Sequence, residues 1–218
     1  MSSESAAGPA AAESVRRAAV RMAALAQNGL AYADNPYDLD RYRQLAALAA
    51  QLLGVLAGRP AAALALELGR DTGYATPKVD VRGVVFDAGE RVLLMRERID
   101  GLWSAPGGWA DPGDTPAQAV VREIGEETGY RAEVVKLIGC WDRDAQGHLP
   151  RLPVAVYKLY FPCRVVGQAG APAALETLDV GWFALDELPP LSTGRITAGQ
   201  LGRGLAHHRD PSLPTGWD

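Results

Sequence analysis

The sequence predicts a layered α/β or α+β domain preceded by a small all-helical domain. Three observations predict it. Residues 13 to 70 carry apolar side chains, many of them alanine, at helical spacing. From residue 78 the pattern becomes alternating and valine-rich, as in KVDVRGVVF and RVLLMRER. Among the later strands stands one well-punctuated helix, TPAQAVVREIGEETG. Strands with interspersed helices bury their apolar faces by stacking in layers.

The elements follow in chain order. The opening MSSESAAGPAAAES lacks the charged-then-apolar order of a signal peptide, so residues 1–12 read as a loose tail. Val15, Ala18, Ala19, Met22, Leu25 and Ala26 recur at helical spacing, and Asn28-Gly29 offers a stop. Asp38 is the expected N-cap of a second stripe through Leu39, Tyr42, Leu45, Ala49, Leu52 and Leu56. Pro60 opens a third helix that passes Leu64 and Leu68 and stops at Gly69. A helical domain over 13–72 therefore precedes a second domain over 77–210, with DTGYATP as the break.

In the second domain, 78–86 is a half-buried strand, Asp87 to Glu90 a turn, and 91–98 its hairpin partner. Thr115 caps the next helix, Pro116 sits in its first turn and Gln118 completes a capping box. Gly129 ends that helix. Strands are expected at 132–141, 153–164 and 180–184, a helical turn at Leu185 to Leu188, and a terminal helix over 195–208.

Composition excludes several function classes. Net charge of −4 and a pI near 5.4 provide no footprint for duplex nucleic acid. No apolar run reaches the roughly 18 residues of a membrane span. Cys140 and Cys163 lack CxxC spacing and read as free thiols of a reducing compartment. A soluble cytoplasmic protein is the expectation.

Glu123, Glu126 and Glu127 stand within five positions of one helix. Glu123 and Glu127 are like charges at i,i+4, a repulsion worth a few tenths of a kcal/mol. Arg122 reaches Glu126 across one turn but cannot neutralise all three. Carboxylates with no thiol or imidazole nearby suit Mg²⁺ or Mn²⁺ rather than zinc. Most charge runs are only solvated faces, and the wider spacing decides against that here. From Gly108, the 23 residues GWADPGDTPAQAVVREIGEETGY place an acid at Asp114, then Arg122-Glu123, Glu126-Glu127 and Gly129. This stretch resembles the Nudix box of the Nudix hydrolases. Asp114 stands where that family usually has glutamate, and Tyr130 where it has an aliphatic residue. NGLAYADNPYDLDRY, GYATPKVDVRGVVF, DGLWSAPGGWADPG and LPPLSTGRIT are similar to members with an N-terminal helical domain, among them CDP-choline and ADP-ribose pyrophosphatases.

The resemblance implies an α/β/α sandwich with a mixed sheet, and hydrolysis of the pyrophosphate bond in nucleoside diphosphate-X compounds to NMP and phospho-X. It implies Glu123, Glu126 and Glu127 as ligands of Mg²⁺ (or Mn²⁺), joined by a carbonyl near Gly108. Glu123 or Glu127 would handle the proton of the attacking water, and Arg122 would hold the glutamates by salt bridging. Dimerisation through the helical domain is implied as well. Glu176 stands where some members carry a further ligand or base; an exposed loop acid is the plainer reading. Arg82 is a candidate for a substrate phosphate or a structural ion pair. Trp103 and Trp109 flank the glycine turn, with base stacking or packing as their alternatives. Asp142, Arg143 and His148 lie in one loop region that could meet substrate, although such residues are usually surface.

For X, the proline that ADP-ribose enzymes carry past the box is absent: Gln146 stands there and Pro150 comes four residues later. The tyrosine of dinucleoside-polyphosphate enzymes is absent from the same region. A CDP-choline-like or broad substrate is thus favoured, with ADP-ribose second. A nucleotide sensor without turnover would tend to lose the box glutamates, which this chain keeps. An RNA-end hydrolase fits the acidic pI less well.

Overall fold

The computed structural model describes residues 8–218. Most of the expected tail, residues 1–7, lies outside the described residues. Contacts divide the chain into two compact units: one runs to Pro77 and includes Leu152–Ala155, and the other holds Lys78–Arg151 and Val156–Asp218.

The first unit contains α1 (Pro9–Tyr32), α2 (Pro36–Ala57) and α3 (Ala61–Leu68). The helix α1 begins inside the stretch expected as tail, with Pro9 in its first turn. It also runs through Asn28-Gly29. A Cβ on Gly29 would lie 2.3 Å from the Tyr42 ring, so this glycine is a close-packing position and not a stop. Asn35, not Asp38, caps α2: its side chain accepts from the Tyr37 N–H at 2.9 Å. Asp38 falls in the first turn and pairs with Arg41. Ala19, Ala50, Leu53 and Leu64 form the core of this unit. Leu48, Leu52, Val55 and Leu56 remain exposed along one stripe of α2.

The second unit runs β1 (Lys78–Val85), β2 (Val92–Glu97), β3 (Trp103–Ser104), α4 (Pro116–Thr128), β4 (Tyr130–Val134), β5 (Gly139–Asp142), β6 (Val156–Gln168), β7 (Thr177–Phe183), α5 (Ala198–Arg209) and β8 (Gly216–Trp217). One sheet has the order β1-β6-β5-β8, with β4 also paired to β6; the other has the order β3-β2-β7. The β1–β6 pair is parallel, Lys78 opposite Val156 and Val85 opposite Cys163. Antiparallel β5 and β4 take successive stretches of the same long strand. The sheet is mixed, as expected.

Two apolar clusters flank it. Val81, Val85, Phe161 and Cys163 pack with Ala119, Val120 and Ile124 of α4. Val84 and Tyr160 pack with Leu201 of α5. The strands lie between helices, in an α/β/α sandwich. Consequently β1 is buried on both faces from Asp80 onward, not half-buried.

Three other expectations change. The 78–98 hairpin shrinks to one bridge between Phe86 and Val92. The glycine-rich segment lies along the edge of β1 instead: Val81 N–H donates to Gly108 and Gly83 N–H to Pro106, each at 2.8 Å. That pushes β2 into the second sheet, against β7. The single strand expected over 132–141 is divided into β4 and β5, and the break falls beside Pro162, which has no N–H to donate. Leu185 to Leu188 is a turn without a helix. Thr197 and Gln200 form a capping box that starts α5.

Candidate active site

Local sequence alone is enough to start and stop the helix that carries the glutamates. Thr115 accepts from the Gln118 N–H, and the Gln118 side chain accepts from the Thr115 N–H, closing the expected capping box. Gly129 ends the helix at φ 73°, in the left-handed region. Tertiary packing then brings α4 down onto β1. A Cβ on Gly83 would sit 2.6 Å from Ile124 Cδ1.

On this helix Glu123 and Glu127 are buried, while Glu126 faces solvent. Two successive glycines bring backbone against the buried pair. Gly107 donates its N–H to Glu127 Oε2 at 2.7 Å. Its φ is 142°, and a Cβ there would lie 2.0 Å from the Val81 carbonyl oxygen, so only glycine fits. At Gly108 a Cβ would come within 3.0 Å of Glu123 Oε1. The Gly108 carbonyl accepts from Val81, which uses one of its two lone pairs.

The charges are unevenly compensated. Arg122 lies within 3.1 Å of Glu123, Glu126 and Asp114, and 3.2 Å from Asp111. Among the described residues its ion pairs do not include Glu127. Burial pushes the Glu127 carboxyl up to about 8, against the pull of Arg82 and the Gly107 N–H, while Glu123 and Glu97 add to the rise. Burial also raises Glu123, with Arg122 and Arg82 opposing. Two buried carboxylates one turn apart thus lack a full complement of positive charge.

The remaining sequence candidates differ in their surroundings. Trp109 is 48% exposed beside the glycine turn. Glu176 is exposed just before β7, and its carbonyl accepts from the Arg98 N–H. Arg82 is buried: it chelates both oxygens of Asp80, at 3.0 and 2.9 Å, and donates to the Ala105 carbonyl at 3.1 Å. The ion-pair reading of Arg82 describes its geometry. Arg143 is buried as well and donates to the Pro150 and Gly194 carbonyls. Asp142 Oδ1 accepts from the Ala145 N–H within its own loop. Trp103 packs edge-on against Phe183, with centroids 4.7 Å apart.

His148, read as a surface residue, is completely buried. One ring nitrogen, Nδ1, faces the Thr193 carbonyl at 2.9 Å, and the other, Nε2, faces the Gln200 amide nitrogen at 3.0 Å. A carbonyl only accepts, so Nδ1 carries the proton. Burial pushes this histidine down to about 4, and Lys158 adds to the fall, which keeps the ring neutral.

Two residues escaped the sequence reading. Lys158 on β6 is buried and pairs with Asp80 across the β1–β6 ladder. Glu97, at the end of β2, is also buried and pairs with Arg195 at 2.8 Å. A signal for Glu97 existed: it continues the alternation Leu93, Met95, Glu97, placing an acid where an apolar residue is due.

Among the described residues, no three Asp, Glu, His or Cys side chains form a ready-made metal cage. The donor set still suits a hard dication. It is all oxygen, two carboxylates are buried without sufficient positive charge, and glycine backbone lies against both.

A carboxylate helix facing a glycine turn on a sandwiched mixed sheet defines an α/β domain with an oxygen-rich acidic site. A family model described as the NUDIX domain matches residues 76–202, and one described as the UDP-X-like, N-terminal oligomerisation domain matches residues 13–66. The chain therefore belongs to the Nudix family and is a pyrophosphatase of that family. It is 38% identical over 200 residues to YjhB of Bacillus subtilis (strain 168), provisionally named an ADP-ribose pyrophosphatase, covering 92% of this chain and 95% of that one. The crystal structure of an ADP-ribose pyrophosphatase from Streptococcus suis matches with a TM-score of 0.59 and 38% identity, over 66% of this chain and 100% of the other. The crystal structure of a UDP-X diphosphatase matches with a TM-score of 0.58 and 29% identity, over 95% of this chain and 99% of its own. Among the described residues, no helix is long and apolar enough to cross a membrane.

Proposed function

We propose that this protein hydrolyses the pyrophosphate bond of nucleoside diphosphates linked to a second group, X, releasing NMP and phospho-X. The observation that carries this reading is the buried Glu123–Glu127 pair against the Gly107–Gly108 turn. Glu123, Glu126, Glu127 and the backbone at Gly108 would hold Mg²⁺ or Mn²⁺. Such ions screen a diphosphate and lower the pKa of a bound water. Glu123 or Glu127 accepts the proton of the attacking water, and Arg122 keeps Glu123 and Glu126 in register through its salt bridges. Trp109 offers an exposed ring beside the turn, on which a base can stack. Glu176, exposed just before β7, is kept as the candidate for a further ligand or base. Arg82 and Arg143 are given no direct substrate contact, because their guanidinium groups are already engaged within the fold.

The names of the relatives favour ADP-ribose and UDP-linked compounds for X, ahead of the CDP-choline that the missing proline suggested. We assign a homodimer, supported by the description of the N-terminal family model and by the exposed α2 stripe. The free cysteines support a cytoplasmic site of action.

The test is a panel of ADP-ribose, UDP-linked sugars and CDP-choline with Mg²⁺ and with Mn²⁺, products separated by chromatography. At least one compound should yield NMP, and EDTA should abolish its turnover. Glu126→Gln should lower the rate by about a hundredfold or more. Cleavage that persists undiminished in EDTA would sink the reading.

A further inference from the structure

The segment LSTGR (191–195) stands outside the box, yet it grips the loop that enters the site. Arg195 pairs with Glu97 at 2.8 Å and with Asp100 at 3.2 Å. Ser192 Oγ donates to Asp100 at 2.7 Å, and the Ser192 N–H donates to the Trp103 carbonyl at 2.8 Å. The Trp103 N–H in turn donates to the Pro190 carbonyl. Residues 97 to 103 are therefore held at several points by one short stretch of chain.

Glu97 is the part of this clamp that the strand pairing links to the helix of the glutamates. The β2–β7 register slips between Arg96 and Glu97, and such an irregularity re-aims a side chain. After the slip Glu97 lies opposite Thr177. The Thr177 hydroxyl donates to the Glu127 carbonyl at 2.9 Å, so Glu97 and Glu127 are tied through one intermediate residue. Glu97 is buried. Arg195 supplies its ion pair. A buried carboxylate that is not needed for packing is expensive to keep.

We infer that Arg195, acting through Glu97, is a positioning residue: the pair fixes a further carboxylate beside Glu127 and so sets how strongly the site holds a divalent cation. This rests on the proposed metal-dependent hydrolysis. Outer partners of metal ligands typically control affinity or activity by about ten- to a hundredfold.

The experiment uses the full chain and two readouts, Mn²⁺ binding followed by electron paramagnetic resonance and steady-state kinetics. Glu97→Gln and Arg195→Gln should each weaken Mn²⁺ binding and lower kcat by about tenfold or more, with KM changed less than about threefold. Arg195→Lys should recover part of both. If Arg195→Gln fails to fold, the double variant Glu97→Gln/Arg195→Gln carries a neutral pair and should show the Glu97→Gln phenotype. The inference is overturned if Glu97→Gln binds Mn²⁺ and turns over like the wild type while Glu123→Gln loses Mn²⁺, an outcome that leaves the proposed site standing. A wild-type chain that binds no Mn²⁺ overturns both.

Discussion

At the scale of single residues, three glycines of the site region have different reasons to be glycine. Gly107 is required by conformation and by space, since its φ of 142° and the Val81 carbonyl both exclude a Cβ. Gly107→Ala should cost about 1–3 kcal/mol and pull the N–H away from Glu127. Thermal melts and turnover measured together should show both losses. Gly83 is required by packing, because Ile124 occupies the space of a side chain. Gly125 is different. A Cβ there meets nothing closer than the Tyr130 carbonyl at 3.8 Å, and nothing in the structure explains the glycine. Gly125→Ala should therefore stabilise the chain by about 1 kcal/mol, seen as a higher midpoint in urea with activity retained.

At the scale of elements, β1 and β6 share a buried ionic cluster. Asp80 on β1 is chelated by Arg82 and paired with Lys158 on β6. Burial alone would raise the Asp80 carboxyl, but the two cations outweigh it and hold it below the usual range. A folded-state value below the unfolded one stabilises the protein above the ordinary carboxylate range. That contribution is lost as pH falls through this range towards the folded value. Asp80→Asn leaves the buried Arg82 cation without its counter-ion. It also removes the charge that holds the proton on Lys158, which burial already pushes down to about 7. The change should cost about 3–5 kcal/mol near neutral pH. Urea unfolding from about pH 7 to about pH 3 should show the gap to wild type narrowing below roughly pH 4. The helix α4 makes a more local contribution: Thr115→Ala removes its cap and should cost about 1 kcal/mol, readable in the same assay.

At the scale of the whole molecule, the question is assembly. The stripe Leu48, Leu52, Val55 and Leu56 follows helical spacing, and Val55 is 82% exposed. The N-terminal family model is described as an oligomerisation domain, and an exposed apolar stripe is a surface that such a domain would bury. Light scattering should weigh the wild-type chain as a dimer. Leu52→Glu/Val55→Glu should weigh as a monomer with its melting behaviour nearly unchanged, because neither side chain belongs to the Ala19–Ala50–Leu53–Leu64 core. A double variant that stays dimeric would remove the stripe from the interface.

What the sequence determined by itself is local. Thr115, Pro116, Gln118 and Gly129 specify one helix through caps that span a few residues, and the 3.6-residue repeat then puts Glu123 and Glu127 on one face with Arg122 reaching Glu126. The same logic failed where a local signal had two meanings. Asn28-Gly29 looked like a stop until Tyr42 was seen to fill the space against it. Only the tertiary structure decided that β1 pairs with β6 rather than β2, that His148 is interior, and that Glu97 is buried in an ion pair with Arg195. Those facts depend on strand pairings between segments some 70 to 100 residues apart, and the edge-filling and burial that select them leave no spacing pattern in the chain.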